Sequence, residues 1–331
     1  MCVEDSRFYS VPCLDKSPSK YEDNYCELND FYKKIATEEL RETDEVRTQS
    51  LEQMREFIAK HPHIKKCRTD TQFLLRFLRQ KKYILNNATE TLERFLAIRA
   101  LHSEWFCKLD IEDPELSALA DTGYLFPLPE RDAQGRTVIF NETGQLDPTK
   151  FKATHVTRIH ALINELFFDR PEVQCAGFVV VYDLSGMTMS HLSMATLNEI
   201  RVMAGYLNKA VPVRYREFHF VGTPGATMTV VNMVLNMLSE KLRQRVFCHR
   251  SWDELYTKVD KNLLPKEFGG KTPKAECIEQ FKQQCSKARA RLLTYDETEM
   301  EVTKDSKYWQ ESTDAELESG AIGSFRKLTV D

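Results

Sequence analysis

The sequence predicts an α/β domain, a mixed and mainly parallel sheet flanked by helices, behind an all-helical N-terminal lobe. Three observations carry this. Residues 71–83 place apolar side chains at helical spacing. Near Pro114 the pattern changes to short β-rich runs alternating with helical ones. The run GFVVVYDL (177–184) is apolar almost throughout, as suits a strand covered on both faces.

Taken in order, residues 1–27 mix Ser, Pro, Asp and Lys without periodicity and are expected to form a mobile leader. Helical spacing begins over 28–42 and 44–60, the second stretch carrying Leu51, Met54, Phe57 and Ile58 and ending at His61-Pro62. Thr69 or Asp70 can cap the next helix, whose apolar stripe is Phe73, Leu74, Phe77 and Leu78, with Arg76, Arg79, Lys81 and Lys82 filling much of the remainder. A fourth helix is predicted over Asn86–Leu101, so 28–112 reads as a helical lobe. From 113 to 271, strands at 137–142, 177–184 and 216–223 alternate with helical patterns at 152–169, 189–208 and 226–246. Residues 272–331 form a charged tail, helical over 277–293 and then acidic and irregular over 296–320.

A chain of 331 residues allows roughly two domains, and 42% hydrophobic residues suffice for a sizeable core. A net charge of −4 argues against a strongly basic nucleic-acid binder but leaves room for a local basic patch. The nine cysteines are odd in number, widely spaced and without a C-x-x-C pair, so a reducing compartment is expected rather than a disulfide framework or a zinc site. No stretch approaches the ~20 apolar residues of a membrane span, so any membrane contact is expected from the surface.

Catalytic signatures are weak. GGKT (269–272) lacks the earlier glycine of a phosphate loop, where Pro265 stands, and follows no clear strand. GTPGAT (222–227) reads as a tight turn, and there is no G-x-S-x-G elbow, H-E-x-x-H or EF-hand loop. Asp183, at the end of an apolar strand, fits loop capping better than catalysis. No nucleophile–base pair, metal set or cofactor motif emerges, and the chain is expected not to be an enzyme.

Three features point elsewhere. In 226–246, Val230, Val234, Met237 and Leu238 form one helical stripe that Lys241 and Arg245 continue, so a single face runs from apolar to basic. That suits either a core helix with cations at its C-terminal end or a helix that touches a lipid interior and then a headgroup. Arg214 and Arg216, two apart in an extended segment, point to one side, and their guanidinium forks suit phosphate oxygens; a solvated strand end would look the same. Thr157, His160 and Asn164 share one face of an otherwise apolar helix and could orient a hydrophobic ligand, although a satisfied core histidine fits His160 equally well.

Together, FLLRFLRQKKY, GFVVVYDLSG, VPVRYREFHFVGTP, LSEKLRQRV and LPKEFGGK resemble the CRAL-TRIO family over about residues 45–271, in order and at comparable spacing, closest to the branch of tocopherol and retinaldehyde carriers and clavesins. The resemblance implies a helical lobe packed on an α/β lobe that encloses one hydrophobic molecule behind a mobile gate helix, here about 226–238. It also implies a basic cleft for phosphatidylinositol bisphosphate beside the gate, at Lys81, Arg214, Arg216, Lys241 and Arg245. Charge is kept at all five positions, with Lys and Arg exchanged at 81 and 214. Cavity positions implied in the same way are Thr157, His160, Asn164, Phe178, Val180, Tyr182, Tyr206, Leu207, Val211, Val213 and Phe218. Val230, Val231, Met233, Val234 and Leu238 fall on the gate. His160 and Asn164 stand where smaller hydroxyl residues are usual, and Tyr206 replaces an aliphatic side chain, so the ligand does not carry over: a retinoid, tocopherol-like, sterol-like or phospholipid molecule would each be compatible.

The expected function is therefore non-enzymatic carriage of a hydrophobic molecule, exchanged at membranes through the phosphoinositide cleft and the gate, in the cytoplasm with transient attachment to endosomal or other phosphoinositide-bearing membranes. The alternative is a phosphoinositide-sensing adaptor or trafficking protein of endosomal membranes.

Overall fold

The computed structural model describes residues 8–308; residues 1–7 of the expected leader and 309–331 of the expected tail lie outside the described residues. The N-terminal lobe contains α1 (Asp30–Leu40), α2 (Asp44–Lys60), a short β1 (Ile64–Lys66), α3 (Thr71–Gln80), α4 (Leu85–Leu101) and α5 (Ser103–Phe106). Asn29, Thr43 and Asp70 cap α1, α2 and α3 through side-chain acceptors, which sets where each helix begins. The apolar stripe of α3 is fully buried, and Phe73, Phe77 and Phe95 stack edge to face at its centre.

The segment expected as a mobile leader differs in its described part. Residues 9–27 form no helix, yet Asn24 is buried, donating to the Asp70 carboxylate at 2.9 Å and accepting from the Gln72 amide at 2.9 Å. Without periodicity these residues gave no sign of packing, but their polar groups satisfy free amides at the buried N-terminus of α3.

The second lobe runs through α6 (Pro114–Asp121), β2 (Leu125–Arg131), β3 (Thr137–Glu142), α7 (Ala153–Phe167), α8 (Pro171–Ala176), β4 (Phe178–Asp183), α9 (Met189–Leu192), α10 (Leu197–Gly205), β5 (Tyr215–Val221), α11 (Met228–Asn236), α12 (Glu240–Arg243), β6 (Val246–His249) and α13 (Trp252–Tyr256). A five-stranded sheet has the order β2-β3-β4-β5-β6, with β2 antiparallel and the others parallel. This is the mixed, mainly parallel sheet the sequence predicts. β2 and β6 were missed: β2 carries two prolines, and β6 lies at the end of a stretch with helical spacing.

Register fixes which side chains share a face. Ile139, Val180, Phe218 and Val246 lie in one row and Asn141, Tyr182, Phe220 and Cys248 in the next, two residues further along each strand. The loops past the strand ends approach closely: a Cβ on Gly186 would stand 2.4 Å from the Gly144 Cα.

The helix expected in the tail is α14 (Lys274–Leu293), followed by β7 (Glu299–Met300). It belongs to the core rather than to a detached tail: Phe281, Cys285, Ala288, Arg291 and Leu292 are buried, and β7 pairs with β1 of the N-terminal lobe.

Candidate functional site

A cavity of about 390 Å³ opens where the parallel strands end. Asn141, Tyr182, Phe218 and Phe220 form its floor, Ala153, Val156 and Thr157 of α7 one wall, and Met187, His191, Leu192 and Met194 of the loop around α9 another. Val231, Val234, Leu235 and Leu238 of the α11 segment cover it. A second compartment of about 230 Å³ adjoins it, sharing Ala153, Thr157, Ala195, Leu207, Val234 and Leu238 and reaching Trp105 of the N-terminal lobe. The lining is mostly aliphatic and aromatic, so the space suits an apolar molecule with few hydrogen-bonding groups.

The polar groups here are largely occupied by the protein. The Thr157 hydroxyl donates to its own helix at Thr154. Asn141 donates to the Tyr124 carbonyl and accepts from the Thr143 hydroxyl. His160 stands behind Tyr124, its Nε2 3.3 Å from the phenol oxygen, and burial pushes its pKa down to about 4. It is therefore neutral at physiological pH.

Of the residues that the sequence assigns to the cavity, Thr157, Tyr182, Leu207 and Phe218 border the two compartments. The others lie deeper. Phe178 packs among Phe167, Phe168 and Tyr215, and Asn164 accepts from the Tyr215 hydroxyl at 3.1 Å. Tyr206 lies against Phe106, Val180 and Val213 are buried, and the Val211 carbonyl accepts from Gln80. Of the expected gate residues, Val231, Val234 and Leu238 line the cavity, while Val230 and Met233 are half-buried and do not line it. Sequence reasoning missed Tyr124, Asn141 and the 187–194 wall. An Asn directly after the apolar residues of TVIFNE was the one available sign; the loop has no period to read.

The continuous apolar-to-basic helix expected over 226–246 is not what forms. α11 stops at Asn236 and α12 starts afresh behind the Ser239 cap. Asn208 causes the break by capturing the backbone: its Nδ2 donates to the Met237 carbonyl at 3.1 Å, and its Oδ1 accepts from the Ser239 amide at 2.7 Å. Val230 and Arg245 therefore share no helical face, and the cations reach the cleft from a separate turn.

Those cations nonetheless converge. Gly177, at φ +87°, lets β4 begin so close to the neighbouring strand that a Cβ would stand 2.0 Å from the Arg214 carbonyl oxygen. Arg214 donates to the Cys175 carbonyl at 2.7 Å and to Glu39 Oε2 at 2.6 Å; Arg216 reaches the same Oε2 at 3.2 Å. Arg245 donates to the Tyr215 carbonyl. Burial first, and then its neighbours Arg216 and Arg214, lower the Arg245 pKa. Burial followed by repulsion from Arg245, Lys82 and Arg214 does the same to Lys241, and burial with repulsion from Lys241 to Lys81. Lys82 and Glu39, missed in the sequence, thus join the five cations at 81, 214, 216, 241 and 245. The cluster is cationic enough that its members repel one another, and Glu39 answers two of them with one oxygen.

Comparison with known proteins agrees with this architecture. The CRAL/TRIO domain profile matches residues 121–270, and a Pinta-like UBA domain profile matches 43–116. Clavesin-1 of Rattus norvegicus is 29% identical over 71% of this chain and 67% of its own length, and Clavesin-2 of Mus musculus 28% identical over 71% and 72%. Among solved structures, Sfh5 aligns at 13% identity and a TM-score of 0.44, covering 88% of this chain and 99% of that one, a similarity too low to argue from. Among the described residues no helix is long and apolar enough to cross a membrane, and no group of His, Cys, Asp and Glu side chains could hold a metal ion. With its sheet, its apolar cavity and these matched segments, the chain carries a CRAL/TRIO domain over residues 121–270 and is similar to the clavesins.

Proposed function

We propose that this protein is a non-enzymatic carrier of a hydrophobic small molecule, loaded and released at a membrane that displays phosphatidylinositol bisphosphate. The carrying observation is the adjacency of two features: a cationic cluster drawn from three chain segments, and the α11–α12 junction that covers an apolar cavity. Arg214 and Arg216 already hold one carboxylate oxygen between them, the arrangement a phosphate oxygen would adopt. Lys241 and Arg245 follow directly on the segment covering the cavity, so a headgroup drawn to them lies beside α11 and favours its displacement into the lipid interface. The ligand then moves between bilayer and cavity without exposing its apolar surface, each buried CH₂ contributing roughly 0.8 kcal/mol. On this reading the protein works in the cytoplasm, transiently attached to endosomal or other membranes bearing this lipid.

Vesicle co-sedimentation tests the cleft. Replacing both Arg214→Ala and Arg216→Ala removes two charge-assisted donors, each contributing about 1.5–3 kcal/mol. Binding to vesicles containing the bisphosphorylated lipid is expected to fall by roughly a hundredfold or more, with little change on neutral vesicles. Unchanged binding would discard the cleft.

A further inference from the structure

We infer that the turn between α3 and α4, centred on Ile84, is a membrane anchor of the N-terminal lobe, separate from the gate and fitted to an anionic lipid surface. The inference rests on the membrane-facing reading of the basic cleft, and adds a contact which that reading does not contain.

A single exposed isoleucine is ordinary on a protein surface. Three independent features distinguish this one. The first is its backbone setting: Lys82 and Tyr83 both adopt left-handed conformations, at φ 53° and 60°. Such angles are rare for residues other than glycine, and an outlier for a side chain as bulky as tyrosine. Amide bonds from Lys82 to Arg79, Tyr83 to Leu78 and Ile84 to Lys81 close the turn and hold Ile84 outward, 51% exposed.

The second is the position Ile84 occupies. It is the N-cap of α4, with φ −80° and ψ 98°, and makes no side-chain cap bond. Ser, Thr, Asp and Asn are strongly preferred there, and a β-branched apolar residue is among the poorest choices. The helix forgoes a cap, and the turn accepts a strained backbone, at one exposed apolar side chain. Such local losses of stability are expected where a residue serves function.

The third is charge. Lys81 and Lys82, immediately before Ile84, lie within the electrostatic reach of Lys241. The C-terminal end of α3 is tied to the covering segment as well: Gln80 donates to the Val211 carbonyl, and Asn208 of the intervening turn binds Met237 and Ser239. Glu90, one turn into α4, is paired with Arg94 at 3.1 Å. An apolar side chain flanked by lysines beside a cationic cleft matches a bilayer carrying acidic headgroups: the lysines meet phosphates while Ile84 enters the interface. An anchor on the helical lobe leaves the gate free to move while the protein stays docked.

The test uses the full chain, vesicles of phosphatidylcholine with and without phosphatidylinositol bisphosphate, and soluble inositol trisphosphate as a headgroup probe. Ile84→Asp supplies a favoured N-cap, so it is expected to raise the unfolding temperature while weakening binding to bisphosphate-containing vesicles about tenfold. Titration with the soluble headgroup is expected to stay within twofold of the wild type. Ile84→Trp is expected to bind these vesicles at least as tightly as the wild type, the introduced indole shifting its emission to the blue. Unchanged vesicle binding by Ile84→Asp overturns the anchor and leaves the cleft standing. A parallel loss of headgroup and vesicle binding also overturns it, placing Ile84 in the cleft itself. If the wild type does not bind the soluble headgroup, the cleft reading fails, and the indole decides the anchor: a blue shift on vesicles supports it, and none overturns it.

Discussion

At the scale of single residues, the cleft is defined as much by Glu39 as by its arginines. One carboxylate oxygen receives both Arg214 and Arg216, and these bonds hold the Glu39 pKa below its ordinary value although burial alone would raise it. On the proposed function, an incoming phosphate has to displace that oxygen or share its donors. Glu39 is 43% exposed, which limits the strength of the pair by solvent screening. Glu39→Gln is therefore expected to tighten binding of soluble inositol trisphosphate by about 1 kcal/mol, roughly fivefold. Titration calorimetry checks this, and weaker binding by the variant would make Glu39 a support for the arginines rather than an occupant of their site. The arginines were legible in the sequence because a basic pair two apart on an extended segment is a local pattern. Glu39 was not, because it lies 175 positions from Arg214 in the chain and its own helix offers several similar carboxylates. His160 shows the same limit: the sequence put it on a polar helical face but not behind Tyr124, where burial keeps it neutral.

At the scale of elements, period and capping made α2, α3, α4, α7 and the central strands readable, since each follows from nearest neighbours along the chain. What the period hid was the break at Met237–Ser239, which a side chain from another element creates. That break leaves α11 as a nine-residue helix with no fully buried side chain, resting on the cavity through Val231, Val234 and Leu235. An element so lightly packed is expected to open at small free-energy cost, as the proposed gate requires. Val234 borders both compartments, so Val234→Asp would put an unpaired carboxylate against apolar walls. The expectation is loss of retention of a fluorescent hydrophobic probe by tenfold or more, with global stability reduced by less than about 1 kcal/mol because α11 adds little to the core. Probe displacement and urea unfolding read the two effects separately. A large fall in stability would mean that α11 is structural rather than a cover.

At the scale of the whole molecule, a buried ionic network holds together the two lobes and the helix that the sequence assigned to a tail. Asp169, just past α7, accepts from Arg68 at 2.8 Å, Arg76 at 2.7 Å and Arg291 of α14 at 3.0 Å. Glu165 accepts from Arg76 at 2.8 Å and pairs with Arg99, while the Tyr295 hydroxyl accepts from Arg68 and Arg76. None of this was legible: a charge run reads as a solvated face, and the burial of four arginines depends on carboxylates brought in by other segments. Burial alone would raise the Asp169 pKa, but Arg68, Arg76 and Arg291 overcome it and hold the group well below its ordinary 3.8. A depressed folded-state value means that this stabilisation is fully present above the unfolded-state value and is lost progressively as the pH falls beneath it. Asp169→Asn leaves three buried guanidiniums short of their shared charge, and is expected to cost about 3–5 kcal/mol at neutral pH. The gap between wild type and variant should narrow by about 1.4 kcal/mol for each pH unit below roughly 4, because only the wild type still has that carboxylate to protonate. Urea unfolding at pH 7 and pH 3 measures both numbers. A gap that stays constant between the two would show that Asp169 acts through shape and hydrogen bonding rather than through its charge.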